Sequence, residues 1–234
     1  MAGSRCAEAG TDKVMNSKAM ADGFIPDLKV YRSAHAPRAG LVLAHGAGAG
    51  HLSPFMVNTA AALAGRDITV ATFDFPYMAA RKKVPDRGPV LEEAWRAAIS
   101  AAAANASFAA LPLFIGGKSM GGRIASQAAA AGGLPIAGLV FLGYPLHPPG
   151  KPAQRRDRHL PSISVPMLFV QGTRDAFGTA EEIRGLLPSL HAPATLHVVE
   201  DGDHSFKVPA RTARASDVLN GIYDAVARWI AALV

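Results

Sequence analysis

Seven short runs of aliphatic, aromatic and β-branched residues recur along the chain: DLKVYRS, GLVLAHG, DITVATFDFP, LPLFIGG, IAGLVFLGYP, PMLFVQG and ATLHVVE. Several are apolar at successive positions, the pattern of a strand covered on both faces. The stretches between them carry helical period instead. Ser53 and Pro54 supply a cap and a first-turn proline for a helix through Leu63. Pro89 opens another, with Val90, Leu91, Ala94, Trp95, Ala98 and Ile99 on one stripe. Thr179 and Glu182 form a capping box, and Ser216 introduces a last helix that turns Val218, Leu219, Ile222, Tyr223, Val226, Trp229 and Ile230 inward. Strand and helix alternating this way predict an α/β fold, a mostly parallel, doubly wound sheet with helices on both faces.

Half of the 234 residues are hydrophobic, enough for a sizeable core, and no linker rich in glycine, serine or proline divides the chain. A single α/β domain is therefore expected over residues 23–234, behind a flexible N-terminal segment, residues 1–22. The long irregular stretch from Pro145 to Val165 holds five prolines by Ser162. That density excludes a helical lid or cap domain and predicts a loop crossing the mouth of the sheet.

Two chemistries overlap in LPLFIGGKSMGGRIASQAAA, residues 111–130. Read as G-K-S, it offers Lys118 and Ser119 to a nucleotide phosphate and its magnesium. A phosphate-binding loop needs a further glycine five residues before the glycine of G-K, and that position is Pro112, inside the preceding strand run. Read as G-x-S-x-G, Gly117 to Gly121, it is a sharp strand-to-helix turn that presents Ser119 as a nucleophile. The residues two positions either side must be small for strand and helix to approach, and both are glycine. The helix that follows then has its amino terminus beneath the serine oxygen, where negative charge develops.

A serine hydroxyl attacks only when a base takes its proton and a carboxylate orients that base. On such folds the chain order is serine, acid, histidine, each after a strand. Here MLFVQGTRDAFG places Asp175 past one strand and LHVVEDGDHSF places His204 past the last. Asp74 in FDFPY also lies at a strand end and offers an alternative to Asp175 or an accessory acid, and Asp201 and Asp203 read as turn residues. The oxyanion donors expected are the backbone amides of Met120 and of Ala47, the latter in the glycine-rich turn after GLVLAHG. That turn reads G-x-G-x-G before His51, which misplaces the third glycine of a dinucleotide site. His45, Lys118 and His147 are candidate substrate contacts, with Lys118 suited to a carboxylate-bearing substrate and His147 lining the entrance. Lys118 and Arg123, which flank the elbow, are expected in ion pairs, the substrate contact being the alternative for Lys118.

The remaining composition narrows the partners. Formal charge is +6, yet the two basic clusters, Arg81 to Lys83 and Lys151 to Arg158, lack interleaved aromatics, so no nucleic-acid partner is expected. The one cysteine, Cys6, permits no internal disulfide and no thiolate zinc site. The eight histidines show no H-E-x-x-H, and neither metal nor cofactor is expected. The first twenty-odd residues lack the apolar core of a secretory signal and no run reaches the ~18 residues that span a bilayer, which predicts a cytoplasmic protein with no membrane partner.

The landmarks HGAGAG, FDFPY, GGKSMGGR, LGYPLHPPGKP, LFVQGTRDAFG and GDHSF resemble the α/β-hydrolase superfamily, and within it the small lidless branch related to dienelactone hydrolases. A similar group of hydrolase-like proteins includes testis-expressed protein 30 and a subunit of a chromatin acetyltransferase complex. The resemblance implies Ser119 as nucleophile, Asp175 as orienting acid and His204 as base. Dienelactone hydrolases carry cysteine where this chain has Ser119, so their substrate does not carry over. The expectation is a serine hydrolase acting on an ester or similar acyl bond of a small substrate through an acyl-enzyme. The alternative is a non-catalytic binding or scaffold protein on the same fold.

Overall fold

The computed structural model describes residues 23–211 and 213–234; the segment expected to be flexible, residues 1–22, lies outside the described residues. Seven strands form one sheet: β1 Lys29–Tyr31, β2 Ala39–Ala44, β3 Ile68–Phe73, β4 Leu113–Lys118, β5 Gly138–Leu142, β6 Met167–Gly172 and β7 Ala194–Val199. Their spatial order is β1-β3-β2-β4-β5-β6-β7, and every neighbour pair is parallel except β1 with β3. All seven runs of the sequence become strands, though the third stops at Phe73, short of its proline.

The helices are α1 Pro54–Ala64, a short α2 Pro76–Ala79, α3 Gly88–Ala103, α4 Met120–Ala130, α5 Ala180–Leu186 and α6 Ala215–Ala231. Alternate side chains of each strand feed two cores. Val42, Ala44, Phe73, Ile115, Phe141 and Phe169 meet residues of α3, α4 and α5, whereas Leu41, Leu43, Val70, Phe114, Val140 and Val170 meet α1 and α6. Burial on both faces explains why the strand runs are continuously apolar. The Thr179 and Glu182 capping box is present. Ser53 stands at the N-cap of α1 without a side-chain cap bond, and α6 begins at Ala215 behind Arg214 rather than at Ser216. The short helix α2 was not foreseen. Pro76 stands at its first turn, where a missing N–H costs nothing.

The winding reverses direction between β3 and β4, which flank β2 on opposite sides. Loops leaving the carboxyl ends of β2 and β4 therefore diverge from a common crevice, the place where open α/β sheets bind ligands. The proline-rich loop carries one 3-10 turn, Leu160–Ser162, with Leu160 and Ile163 buried. Among the described residues no helix is long and apolar enough to cross a membrane.

Candidate active site

Ser119 sits between β4 and α4 with φ 50° and ψ −115°, a left-handed conformation that L-residues avoid. Its neighbours leave no space for side chains. A Cβ on Gly117 would lie 2.2 Å from the Ala44 carbonyl oxygen, and one on Gly121 would lie 2.4 Å from the same atom. These are backbone obstacles, so they yield only if strand and helix separate. Gly121→Ala is expected to cost about 3 kcal/mol of stability, read as a lower midpoint in urea. An unchanged midpoint would show that α4 can withdraw from β2 without loss.

Loops after β6 and β7 bring two further side chains to the serine. His204 Nε2 lies 2.8 Å from Ser119 Oγ, and His204 Nδ1 lies 2.8 Å from Asp175 Oδ2. The carboxylate can only accept, so Nδ1 carries the ring proton and the lone pair of Nε2 faces the hydroxyl. Asp175 is buried and its orientation is fixed by two more donors: the Phe177 backbone N–H to Oδ1 at 2.8 Å, and Gln171 Nε2 to Oδ2 at 2.9 Å. Gln171 is itself held, accepting from Tyr144 N–H at 2.8 Å and donating to the Gly178 carbonyl at 2.6 Å. The ring of Phe177 lies against that of His204, centroids 4.2 Å apart. An imidazole so placed can take the serine proton with no reorganisation.

Met120 is the first residue of α4, so its N–H has no partner within the helix. The facing loop approaches closely, since a Cβ built on Gly46 would lie 3.7 Å from Ser119 Cβ. Hydrogen bonds from outside fix this loop: Tyr77 hydroxyl donates to the Ala47 carbonyl at 3.0 Å, and the His51 N–H donates to Asp74 Oδ1 at 2.8 Å. His45 is fully buried beneath it; Nδ1 donates to the Gly46 carbonyl at 2.7 Å and Nε2 accepts from the Phe75 N–H at 3.1 Å. Burial holds its pKa below the ordinary value, so the ring is neutral, as the acceptor role of Nε2 requires.

Three expectations need correction on this geometry. His45 does not face the cleft, because its two ring nitrogens staple the loop to the segment after β3. His147 is buried outside the cleft, with Nε2 3.1 Å from Glu182 Oε1. Asp74 braces the glycine-rich loop through His51 instead of approaching His204. Asp203 is a turn residue as expected, accepting from the Ser205 and Lys207 N–H groups at 2.8 and 2.9 Å.

Lys118 does line the cleft, but its ammonium donates to the backbone carbonyl of His204 and lies 5.2 Å from the centre of the Phe206 ring. Burial lowers its pKa to about 8, against the opposing pull of Asp175 and Asp203. The lysine thus costs stability while clamping the histidine loop. At neutral pH Lys118→Met is expected to raise Tm and to lower kcat about ten-fold through a looser His204. The folded pKa lies below the unfolded one, so the penalty is complete below about 8 and fades as pH rises to the ordinary lysine value. The Tm advantage of the variant should shrink over that window, and melting curves that stay parallel would contradict the clamp's charge.

The cleft above Ser119 has a volume of about 680 Å³, with Ala47, Phe55, Leu91, Met120, Ile124 and Phe177 among its walls. Gln171 and the Tyr77 anchor escaped the sequence reading; a polar residue ending the apolar run PMLFVQG is the trace that Gln171 leaves. Among the described residues no group of three or more His, Cys, Asp or Glu is placed to hold a metal ion.

A sheet wound this way, with a serine at the kink between its central strand and the next helix, defines an α/β hydrolase. The chain belongs to that family, as residues 37–231 match the model of an alpha/beta hydrolase domain. Its fold is similar to that of a dienelactone hydrolase from Anabaena variabilis, at 18% identity over 89% of this chain and 92% of that one, TM-score 0.69. It is similar also to a serine hydrolase without lid from Xanthomonas campestris, at 22% identity over 89% and 92%, TM-score 0.66. Est1E from Butyrivibrio proteoclasticus, solved with ferulic acid bound, matches at 12% identity over 89% and 95%, TM-score 0.71. Family and neighbours together support hydrolase activity.

Proposed function

We propose that this protein is a serine hydrolase that cleaves an ester or related acyl bond of a small substrate through an acyl-enzyme. The observation that carries the reading is the unbroken chain Ser119 Oγ, His204 Nε2, His204 Nδ1, Asp175 Oδ2, each link 2.8 Å where atoms of different residues meet. His204 takes the Ser119 proton as Oγ bonds the acyl carbon, and the carbonyl electrons move to the oxygen. The Met120 and Ala47 amides receive that oxyanion. The intermediate collapses, the leaving group departs with the proton from His204, and Ser119 keeps the acyl group. Water then attacks, giving a proton to His204, which returns it to Ser119 as the acid leaves. Asp175 steadies the imidazolium in both halves.

The cleft has walls, and among the described residues no lid domain lies above it, which suits a short acyl group. Short-chain 4-nitrophenyl esters and matching thioesters test the reading. A burst of nitrophenolate equal to the enzyme concentration is expected when deacylation is slower than acylation, followed by steady turnover. Absence of both burst and turnover across the panel would favour a binding protein on a hydrolase fold.

A further inference from the structure

Two guanidinium groups face the same cleft as Ser119. Arg123, four residues beyond the serine on α4, and Arg156, from the proline-rich loop, both line it. The sequence suggested an ion pair for Arg123, yet neither arginine forms one among the described residues. Arg123 donates through one terminal nitrogen to the neutral Gln127 at 3.1 Å, and its Nε is buried with no hydrogen-bond partner. Burial lowers its pKa, the charge of Arg156 adds to that, and Tyr144 and Glu92 counter only in part. Arg123 is half-buried, and a guanidinium with a desolvated, unmatched Nε beside a second cation is costly unless an anion is to be received there.

The position of Arg156 is built rather than accidental. Its N–H donates to the Leu146 carbonyl at 2.9 Å, and its carbonyl accepts from the Tyr144 hydroxyl at 2.8 Å. Three residues on, His159 Nε2 lies 2.7 Å from Ser126 Oγ, tying the same loop to α4 one turn past Arg123. Burial lowers the pKa of His159 to about 4, so this tie is unaffected by titration near neutrality. The loop's backbone is therefore pinned on both sides of the cation before any ligand arrives. Asp86 is a carboxylate on the cleft wall, with one oxygen buried and unpartnered, but it pairs with neither arginine; its field falls on Tyr77.

Resting on the hydrolase reading, we propose that the substrate carries a carboxylate beside its scissile acyl bond, and that Arg123 and Arg156 bind it. The role that the sequence suggested for Lys118 passes to these two, since the lysine is engaged with the His204 carbonyl. Guanidinium groups suit the task, because their fork of donors matches a carboxylate in a way that an ammonium does not.

The test compares 4-nitrophenyl hydrogen glutarate with 4-nitrophenyl valerate, which are of equal length and differ in a terminal carboxylate. Wild-type kcat/KM should favour the acidic ester by about ten-fold or more, and this preference should weaken with added salt. Arg156→Gln should lose about ten-fold more on the acidic ester than on the neutral one, chiefly in KM. Equal efficiency on both esters in the wild type, or equal losses in the variant, would overturn the subsite while leaving the hydrolase reading intact. Thermal melting with glutarate reads the subsite without chemistry. If neither ester is cleaved but glutarate raises the Tm of the wild type and not of Arg156→Gln, the subsite stands and the catalytic reading falls. No shift with glutarate in the wild type counts against the subsite.

Discussion

Ser119→Ala is expected to lower ester turnover about a million-fold and to leave the fold intact. Without Oγ no acyl-enzyme can form, and His204 has nothing to deprotonate but water. The residual rate would come from backbone donors and binding alone. Stability should change little, because alanine inherits the left-handed φ of 50°. Ser119→Gly separates chemistry from strain. It is equally inactive, yet glycine occupies that region freely, so it should gain about 1 kcal/mol against urea. A Ser119→Ala enzyme retaining more than about a thousandth of wild-type kcat would place the nucleophile elsewhere.

Asp175→Asn is expected to cost about ten-thousand-fold in kcat. The carboxylate accepts from His204 and from Gln171 on one oxygen and from the Phe177 N–H on the other. An amide cannot accept at both ends. If its nitrogen faces His204, the ring must accept at Nδ1 and carry its proton on Nε2, pointing at Ser119 with no lone pair to offer. If its oxygen faces His204, the amide nitrogen meets the Phe177 N–H, donor against donor. Asp203→Asn provides the contrast, being only one residue from His204. Asp203 accepts from Ser205 and Lys207 through one oxygen, which asparagine keeps, so its kcat should fall less than about ten-fold. Equal losses for the two substitutions would mean that Asp175 acts only on the shape of the loop.

The sheet was legible because burial on both faces writes itself into local composition: GLVLA, TVATF and LVFL carry no polar side that would read as exposed. The kink was legible because only glycine tolerates the approach of Ala44 to residues 117 and 121. Asp175 and His204 followed from chain order after strands, a rule of topology rather than of local sequence. What escaped was held by contacts distant in sequence. His45 accepts from Phe75 and Tyr77 donates to Ala47, each across 30 positions, and Gln171 reaches back 27 to Tyr144. Lys118 reads as an ion-pair partner or a substrate contact because nothing in GGKSMGG announces that the His204 carbonyl, 86 residues on, will receive it. Arg123 reads as an ion-pair partner for a similar reason. The absence of a partner is visible only once the neighbouring loops are in place.

The central claim is that the strained hydroxyl at residue 119 is a nucleophile driven by the imidazole at residue 204. Reaction with a fluorophosphonate, followed by peptide mapping of the adduct, tests it most directly. The account predicts one phosphonyl group per chain, on the peptide containing Ser119, absent in Ser119→Ala and formed far more slowly in Asp175→Asn. Wild-type protein that stays unmodified at every pH where it remains folded, or an adduct on a different residue such as Ser205, would contradict it.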